Sequence, residues 1–268
     1  MPFKIMDSIL NNVLSLIPFT VKKMKNHRLY TGTSGWSYKH WRGTFYPENI
    51  KVKDHFSYYL LHFNTVEINN TFYRIPPDET FINWEKKVPD DFIYVVKANR
   101  NITHFKKLRE PSISLPPFMH RIELLGKKLG PILFQLPPFM KSDAVLLEAF
   151  LHELPTKFRY VFEFRNPDWY KDEIYQLLKK YNCAFCIYEL AGHLSPLEVT
   201  SDFVYLRLHG PGNKYQGSYS DDALQKWAQQ CTEWLKTKDV FIYFDNDEKG
   251  YAAFNALKLK ELISNQFT

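Results

Sequence analysis

Residues 203–209 have the sequence FVYLRLH, and the alternation within this stretch decides the fold. Every second residue from Val204 is aliphatic, whereas the residues between them are Tyr205, Arg207 and His209. Successive side chains of a strand point to opposite faces, so this strand has one apolar face and one polar face. The apolar face suits packing against helices, and we therefore expect Arg207 and His209 to point into the interior of a barrel.

Seven other short apolar runs resemble this one, and most of the segments between the runs have helical periodicity. Strands that alternate with helices at this spacing predict a parallel sheet, and eight repeats favour a single-domain α/β fold, the (β/α)8 TIM-type barrel, over an open doubly wound sheet. The expected strands are 29–33, 65–69, 92–97, 132–135, 160–165, 183–188, 203–209 and 240–244. The expected helices are 53–63, 78–87, 118–128, 143–154, 172–181, 221–236 and 251–263, with no clear helix after the sixth strand.

The composition is that of a globular protein of 268 residues, with 45% hydrophobic and 24% charged residues. The net charge of +6 is concentrated at the amino terminus, where residues 1–28 alone carry +4, so it is weak support for a polyanionic partner. No stretch reaches the ~20 apolar residues that a membrane span needs. Three cysteines fit a reducing compartment, and we expect a cytoplasmic protein.

We expect residues 1–28 to be a separate amino-terminal extension ahead of the barrel domain, 29–268. Apolar residues recur at helical spacing from Ile5 to Ile17, which predicts an amphipathic helix ending at Pro18. The basic cluster follows the apolar part, which argues against a secretory signal. We favour a helix on the bottom of the barrel, or an upstream extension of a chain that starts at Met24, over a peripheral membrane helix.

The polar residues that end the strands define the candidate site, because barrel enzymes place their sites at the carboxyl ends of the strands. Strand parity directs most of these side chains inwards. As acid and base candidates we assign Glu67, Glu163, His209 and Asp245. As substrate-binding candidates from the strand ends we assign Thr33, Asn69, Lys97, Gln135, Arg165, Arg207 and Asn246. A plug of ion pairs that only fills the barrel is the structural alternative, although burying so many charges for stability alone is usually unfavourable.

The balance of charges favours an anionic ligand over a metal ion. Three acids, Glu67, Glu163 and Asp245, face three cations, Lys97, Arg165 and Arg207, and a divalent ion requires donors without cationic competition. We therefore predict no metal and no cofactor. A divalent metal bound by the acids and a histidine stays open if the cations cluster elsewhere. The glycine-rich loop after residue 209 is a weak phosphate signal.

Two loops on the same face add binding candidates. The loop after the first strand carries Trp36, Tyr38 and Trp41, which either stack on a planar ligand or pack on one another. The loop after the third strand carries His104 and several lysines and arginines, which raises nucleic acid as an alternative partner.

Several blocks of the chain resemble the YecE-like family, a group described as a domain of unknown function. They are GTSGWSYKHWRGTFYP, VEINNTFYRIP, VVKANRNITHFKKL, LGPILFQLPP, EFRNPDW and YLRLHG, which together cover residues 30 to about 262. The resemblance implies a TIM-type barrel and supplies no reaction. It also implies a pair of asparagines after the last strand, where this chain has Asp245 and Asn246.

Three functional hypotheses follow. The leading one is an enzyme, of hydrolase or lyase/isomerase type, that acts on an anionic or phosphorylated small molecule by acid/base chemistry. The second is a nucleic-acid-binding or processing protein of endonuclease-like barrel type. The third is a non-catalytic barrel that serves as a binding scaffold.

Overall fold

The computed structural model describes residues 27–267, in which eight parallel strands form a nearly closed barrel and a ninth, two-residue strand lies outside it. The strands are β1 (Leu29–Thr33), β2 (Thr65–Ile68), β3 (Ile93–Lys97), β4 (Leu129–Leu136), β5 (Tyr160–Phe164), β6 (Ala184–Leu190), β7 (His193–Leu194), β8 (Phe203–Leu208) and β9 (Asp239–Phe244). Their order around the barrel is β1, β9, β8, β6, β5, β4, β3 and β2, and a bridge between Ser34 and Glu67 joins the two end strands. The short strand β7 pairs antiparallel with β6.

Helices separate most of the strands, which confirms the single-domain (β/α)8 barrel. They are α1 (His55–Tyr59), α2 (Asn70–Tyr73), α3 (Asp78–Lys87), α4 (Pro111–Ile122), α5 (Ala144–His152), α6 (Asp172–Lys180), α7 (Asp221–Leu235) and α8 (Tyr251–Asn265). Short 3-10 helices lie at Lys39–Trp41, Val52–Asp54, Glu123–Lys128 and Pro167–Trp169, and a π-helix lies at Asn101–Phe105. As the sequence predicts, no helix lies between β6 and β8 in the described residues.

Two helices differ from their predicted bounds by more than two residues. The helix expected from residue 118 begins at Pro111 and runs through Pro116 and Pro117, because Leu115 and Phe118 are both buried on one of its faces. The first helix is only five residues long and continues from a 3-10 turn. The predicted amino-terminal helix and the alternative start at Met24 lie outside the described residues.

The side chains divide into two cores, as strand parity requires. One fills the barrel interior and includes Tyr30, Val95, Leu133, Val161 and Tyr205, while a larger one lies between the sheet and the helices. In β6, the sequence leaves open whether Tyr188 or Glu189 points inwards, and the structure shows that Tyr188 belongs to the interior core. Within residues 27–267, none of the helices combines the length and apolar character that crossing a bilayer requires.

The predicted inward direction of Thr33 is corrected by this arrangement. The Thr33 hydroxyl lies 3.0 Å from the Tyr59 hydroxyl, on the side of the helices. Because Tyr30 points inwards, the inward positions of this strand are Gly32 and then Ser34. Ser34, which the sequence analysis did not select, is the residue that reaches the polar interior.

Candidate functional site

Three fully buried charges form the base of the site. Arg207 donates from Nε and Nη2 to the two carboxylate oxygens of Glu67, over 2.9 and 2.7 Å, and from Nη1 to Glu163 over 2.7 Å. Glu67 accepts two further hydrogen bonds, from the hydroxyls of Ser34 and Tyr205. The three charged side chains are at most 1% exposed. We call Glu67, Glu163 and Arg207 the buried triad.

Arg165 connects the buried triad to the mouth of the barrel. Its Nε donates to Glu163, and its guanidinium lies over the Tyr188 ring with 4.7 Å to the ring centroid. Burial on its own raises the pKa of Glu163, but Arg165 and Arg207 outweigh that effect and hold the pKa well below its usual range. Glu163 is therefore an ionised acceptor at neutral pH.

His209 and Asp245 form a hydrogen-bonded pair beside Arg165. The Nη2 of Arg165 lies 2.9 Å from Nε2 of His209, and because a guanidinium only donates, Nε2 accepts this bond. Nδ1 then carries the proton and donates to Asp245 over 3.0 Å. Burial, with a contribution from Arg207, lowers the pKa of His209 to about 4, so the imidazole is neutral. Burial opposes ionisation of Asp245, but the His209 hydrogen bond and Arg207 keep its pKa below the usual value.

Lys97 is the interior charge that lacks a counter-ion. Among residues 27–267 its ammonium has no ion pair and no hydrogen bond; it lies over the Phe72 ring, 4.5 Å from the centroid. Burial, reinforced by Arg207, lowers the pKa of Lys97 to about 8. Lys97 is therefore a cation at neutral pH that gives up its proton far more readily than an ordinary lysine.

A cavity of about 440 Å³ opens above these groups, at the carboxyl ends of the strands. Polar and aromatic side chains line most of it, and none of its lining residues is an aspartate or a glutamate. The lining residues are His104, Gln135, Pro138, Arg165, Pro167, Tyr188, Leu190, His193, Lys214 and Tyr215. A larger cavity of about 760 Å³ lies at the opposite end, beside Asn64 and Phe92, and none of the charged residues of the barrel interior lines it.

The aromatic residues of the first loop pack on one another and on the barrel. Trp41 is fully buried and its indole donates to Asp247, while the Tyr38 hydroxyl donates to the carbonyl of Ser34. Trp36 packs 4.6 Å from the Phe56 ring. None of the three candidates Trp36, Tyr38 and Trp41 lines the 440 Å³ cavity.

Two amides of the candidate set each present a buried oxygen without a hydrogen-bond partner in the described residues, Oδ1 of Asn69 and Oδ1 of Asn246. The amide nitrogen of Asn246 is occupied, because it donates to Gly217 and to Asn255. Gln135 and His104 lie directly on the cavity wall.

Sequence reasoning missed several residues of the mouth. Tyr205 could have been found from strand parity alone, because it shares a face with Arg207. Ser34 directly follows Thr33 and therefore lies on the opposite face from the residue that was selected. His193 lies in the two-residue strand β7, and Lys214 and Tyr215 lie in a loop, so no periodicity indicates the direction of these side chains.

The donor set does not suit a divalent ion. The four residues considered for a metal are Glu67, Glu163, His209 and Asp245. The carboxylate oxygens of Glu67 and Glu163 already accept hydrogen bonds from arginine guanidiniums. In the described part of the chain, no group of three histidine, cysteine or acidic side chains is arranged to hold a metal ion.

The chain is similar in sequence to two bacterial proteins. The UPF0759 protein YunF of Bacillus subtilis is 25% identical over 280 residues, which covers 90% of this chain and 96% of the relative. The UPF0759 protein YecE of Escherichia coli K12 is 30% identical over 154 residues, or 57% of this chain and 54% of the relative.

Two solved structures have the same fold as this chain. A DUF72 family protein of Thermotoga maritima has a TM-score of 0.80 and 30% identity, and the match covers 88% of this chain and 99% of that one. A DUF72 family protein of Enterococcus faecalis, at 21% identity and a TM-score of 0.65, has the same fold over 88% of this chain and 98% of its own. The family described as "Protein of unknown function DUF72" matches residues 30–268, and the chain belongs to that family.

Proposed function

We propose that the chain is an enzyme that binds an anionic or phosphorylated small molecule in the 440 Å³ cavity and acts on it by acid/base chemistry. The observation that carries this proposal is the composition of the cavity wall, which contains Arg165, Lys214 and two histidines and no carboxylate. Lys97 adds an unpaired positive charge from below. A concave site with several convergent cationic donors favours an anion.

The contacts support different roles for the residues selected from the sequence. Arg165 and Lys214 are placed to bind the anionic group, and Lys97 adds positive charge near it. Asp245 does not line the cavity, but it is ionised and 19% exposed, and we assign it the role of proton acceptor, oriented by neutral His209 through Nδ1. Glu67, Glu163 and Arg207 saturate one another, and we assign them a positioning role beneath these groups.

Inorganic phosphate and sulfate are the probes that test the proposal. An anion bound only to the folded chain, at ten times its Kd, raises the free energy of unfolding by about 1.4 kcal/mol, which denaturation at constant ionic strength measures. We expect Lys214→Ala to weaken phosphate binding about fivefold. The matched variant Lys226→Ala, on the exposed face of α7, leaves binding unchanged. Equal binding by both variants, or no stabilisation of the parent protein, would overturn the proposal.

A second candidate function, binding of single-stranded nucleic acid, is favoured by a group of exposed rings on the same end of the barrel. Tyr73, Phe105 and Phe139 are 67%, 67% and 66% exposed. Arg100 lies 5.8 Å from the Tyr73 ring and 5.4 Å from the Phe105 ring, and Lys107 lies 5.1 Å from the Phe139 ring. Exposed rings with adjacent cations are typical of surfaces on which unpaired bases stack.

Salt dependence separates the two candidates. If the rings bind nucleic acid, the affinity for an oligothymidylate falls steeply with salt, and Phe105→Ala weakens it by about 1–3 kcal/mol. Phe254→Ala removes an exposed ring from the opposite end and serves as the control. Affinity that does not change with salt, or no binding at all, would remove this candidate.

A further inference from the structure

The electrostatic position of Lys97 differs from that of every other charge in the barrel interior. Glu67, Glu163 and Arg207 are paired with one another, and Arg165 and Asp245 also have charged or imidazole partners. Within the described residues, Lys97 has only the face of Phe72. Lys97 is half-buried, and a lysine that serves structure alone is usually paired when much of its side chain is removed from water.

The backbone places Lys97 beside the cavity. Its Cα pairs with that of Leu133 in β4, and Gln135, which lines the cavity, lies two residues further towards the mouth on the same face. The Phe72 ring contacts both Lys97 and His104, since its centroid lies 4.5 Å from the Lys97 ammonium and 4.9 Å from the centroid of the His104 ring. His104 also lines the cavity. The long side chain of Lys97 therefore ends near the wall formed by Gln135 and His104.

We propose that Lys97 is an amine nucleophile that forms an imine with an aldehyde or ketone carrying a phosphate or carboxylate group. This inference rests on the proposed function and narrows its substrate class to carbonyl compounds. Arg165 and Lys214 hold the anionic group, and Lys97 attacks the carbonyl carbon. A desolvated amine beside another cation is the environment in which lysines act as nucleophiles.

The acid–base behaviour of Lys97 agrees with this role. Only the neutral amine attacks a carbonyl, and with a pKa of about 8 roughly a tenth of the molecules hold it at pH 7. An ordinary lysine holds it in only about three molecules in ten thousand. The environment thus raises the reactive fraction roughly 300-fold.

The reaction balances without any further reactant. The nitrogen of Lys97 forms a bond to the carbonyl carbon, and the amine proton moves to the carbonyl oxygen to give a carbinolamine. His104, which took up the proton that the Lys97 ammonium released to form the neutral amine, returns that proton to the hydroxyl; the carbon–oxygen bond then breaks, the oxygen leaves as water, and a protonated imine remains. His104 is the side chain that moves the proton. Burial, with a smaller contribution from the charge of Lys97, lowers the pKa of its imidazole and keeps it neutral.

Pyridoxal 5′-phosphate, a phosphorylated aldehyde, is the probe for this proposal. The full chain is incubated with it near pH 7.5, reduced with borohydride to fix any imine, and analysed by intact mass and peptide mapping. We expect one added group per chain, on Lys97, with a rate of labelling that rises with pH through a midpoint near 8. Pyridoxal, which lacks the phosphate, labels Lys97 at least tenfold more slowly.

Lys97→Arg keeps the charge but cannot form an imine, and we expect it to lose the label while Lys226→Arg, on the exposed face of α7, keeps it. Peptide mapping of the parent protein decides the site even if the Lys97→Arg variant does not fold. Labels spread over surface lysines, or an unchanged label in the folded variant, would overturn the inference. Phosphate that stabilises the protein without any trapped imine overturns this inference alone, whereas absence of both effects overturns the proposed function as well.

Discussion

Replacing Arg207 with methionine tests whether the buried triad is one coupled unit. Arg207 makes three hydrogen bonds of 2.7–2.9 Å to Glu67 and Glu163, and all three side chains are at most 1% exposed. Glu163 keeps Arg165 after the substitution, but Glu67 keeps only the neutral hydroxyls of Ser34 and Tyr205. Breaking a buried pair in this way leaves an uncompensated charge and costs about 3–5 kcal/mol. We expect that loss in Arg207→Met.

A double-mutant cycle isolates the coupling. Glu67→Gln keeps the size of the side chain and removes the orphaned charge, so in the methionine background it should recover about 2 kcal/mol instead of adding a second loss. Arg121→Met breaks the exposed pair with Asp78 and serves as the matched control, with an expected loss of less than about 1 kcal/mol. Urea denaturation, with the slope compared among variants, gives each free energy of unfolding.

Acid provides an independent readout of the same unit. A buried carboxylate without a cation has a raised pKa, so the folded Arg207→Met variant binds a proton more tightly than its unfolded chain does. Its deficit relative to the parent protein should therefore shrink as the pH falls from 8 to 5. Losses that add within about 0.5 kcal/mol in the cycle, together with a deficit that does not change with pH, would refute the coupling.

Three other perturbations have definite expected outcomes. The pKa of His209 is lowered to about 4 from an ordinary 6.5, which corresponds to about 3 kcal/mol of unfolding free energy. This contribution is complete above pH 6.5 and is lost as the pH falls towards 4. His209→Gln should therefore flatten this part of the curve of unfolding free energy against pH. Asp247→Ala removes the acceptor of the buried Trp41 indole and should cost about 1–3 kcal/mol, with faster proteolysis of the first loop. Gly210→Ala, at φ +108° where the added Cβ would collide with the carbonyl oxygen of Gln216, should lower Tm more than Gly192→Ala, at φ +77° with nothing within 4 Å.

Strand parity predicted most of the inward residues, because the pleat fixes which side chains share a face. It was wrong for Thr33, since the inward positions that follow Tyr30, namely Gly32 and Ser34, are small and gave little signal. At Gly32 an added Cβ would lie 2.6 Å from the carbonyl oxygen of Thr65, so the adjacent strand leaves no space for a side chain. The glycine that made the parity hard to see is the residue that the barrel requires there.

The partners within the site could not be predicted in the same way. Parity places three acids and three cations in one interior, but the stagger of the strands and the reach of each side chain decide which charges meet. Arg207 reaches two carboxylates because its guanidinium presents several donors in one plane. Lys97 is a point charge on a flexible chain, and it remains beside Phe72.

The burial of each charged side chain indicates whether it stabilises the fold or can interact with a ligand. Arg207 is 1% exposed and has all three of its donor nitrogens bonded to carboxylates, so an incoming anion would have to displace a buried ion pair to reach it. Arg165 is 9% exposed and Asp245 is 19% exposed, and these lie nearer the cavity. Substitutions of the buried triad should therefore act mainly on the free energy of unfolding. Substitutions of Arg165, Asp245 and Lys97 should act mainly on ligand affinity and turnover, because Arg165 and Asp245 are partly exposed and Lys97 has no ion pair to give up in the described residues.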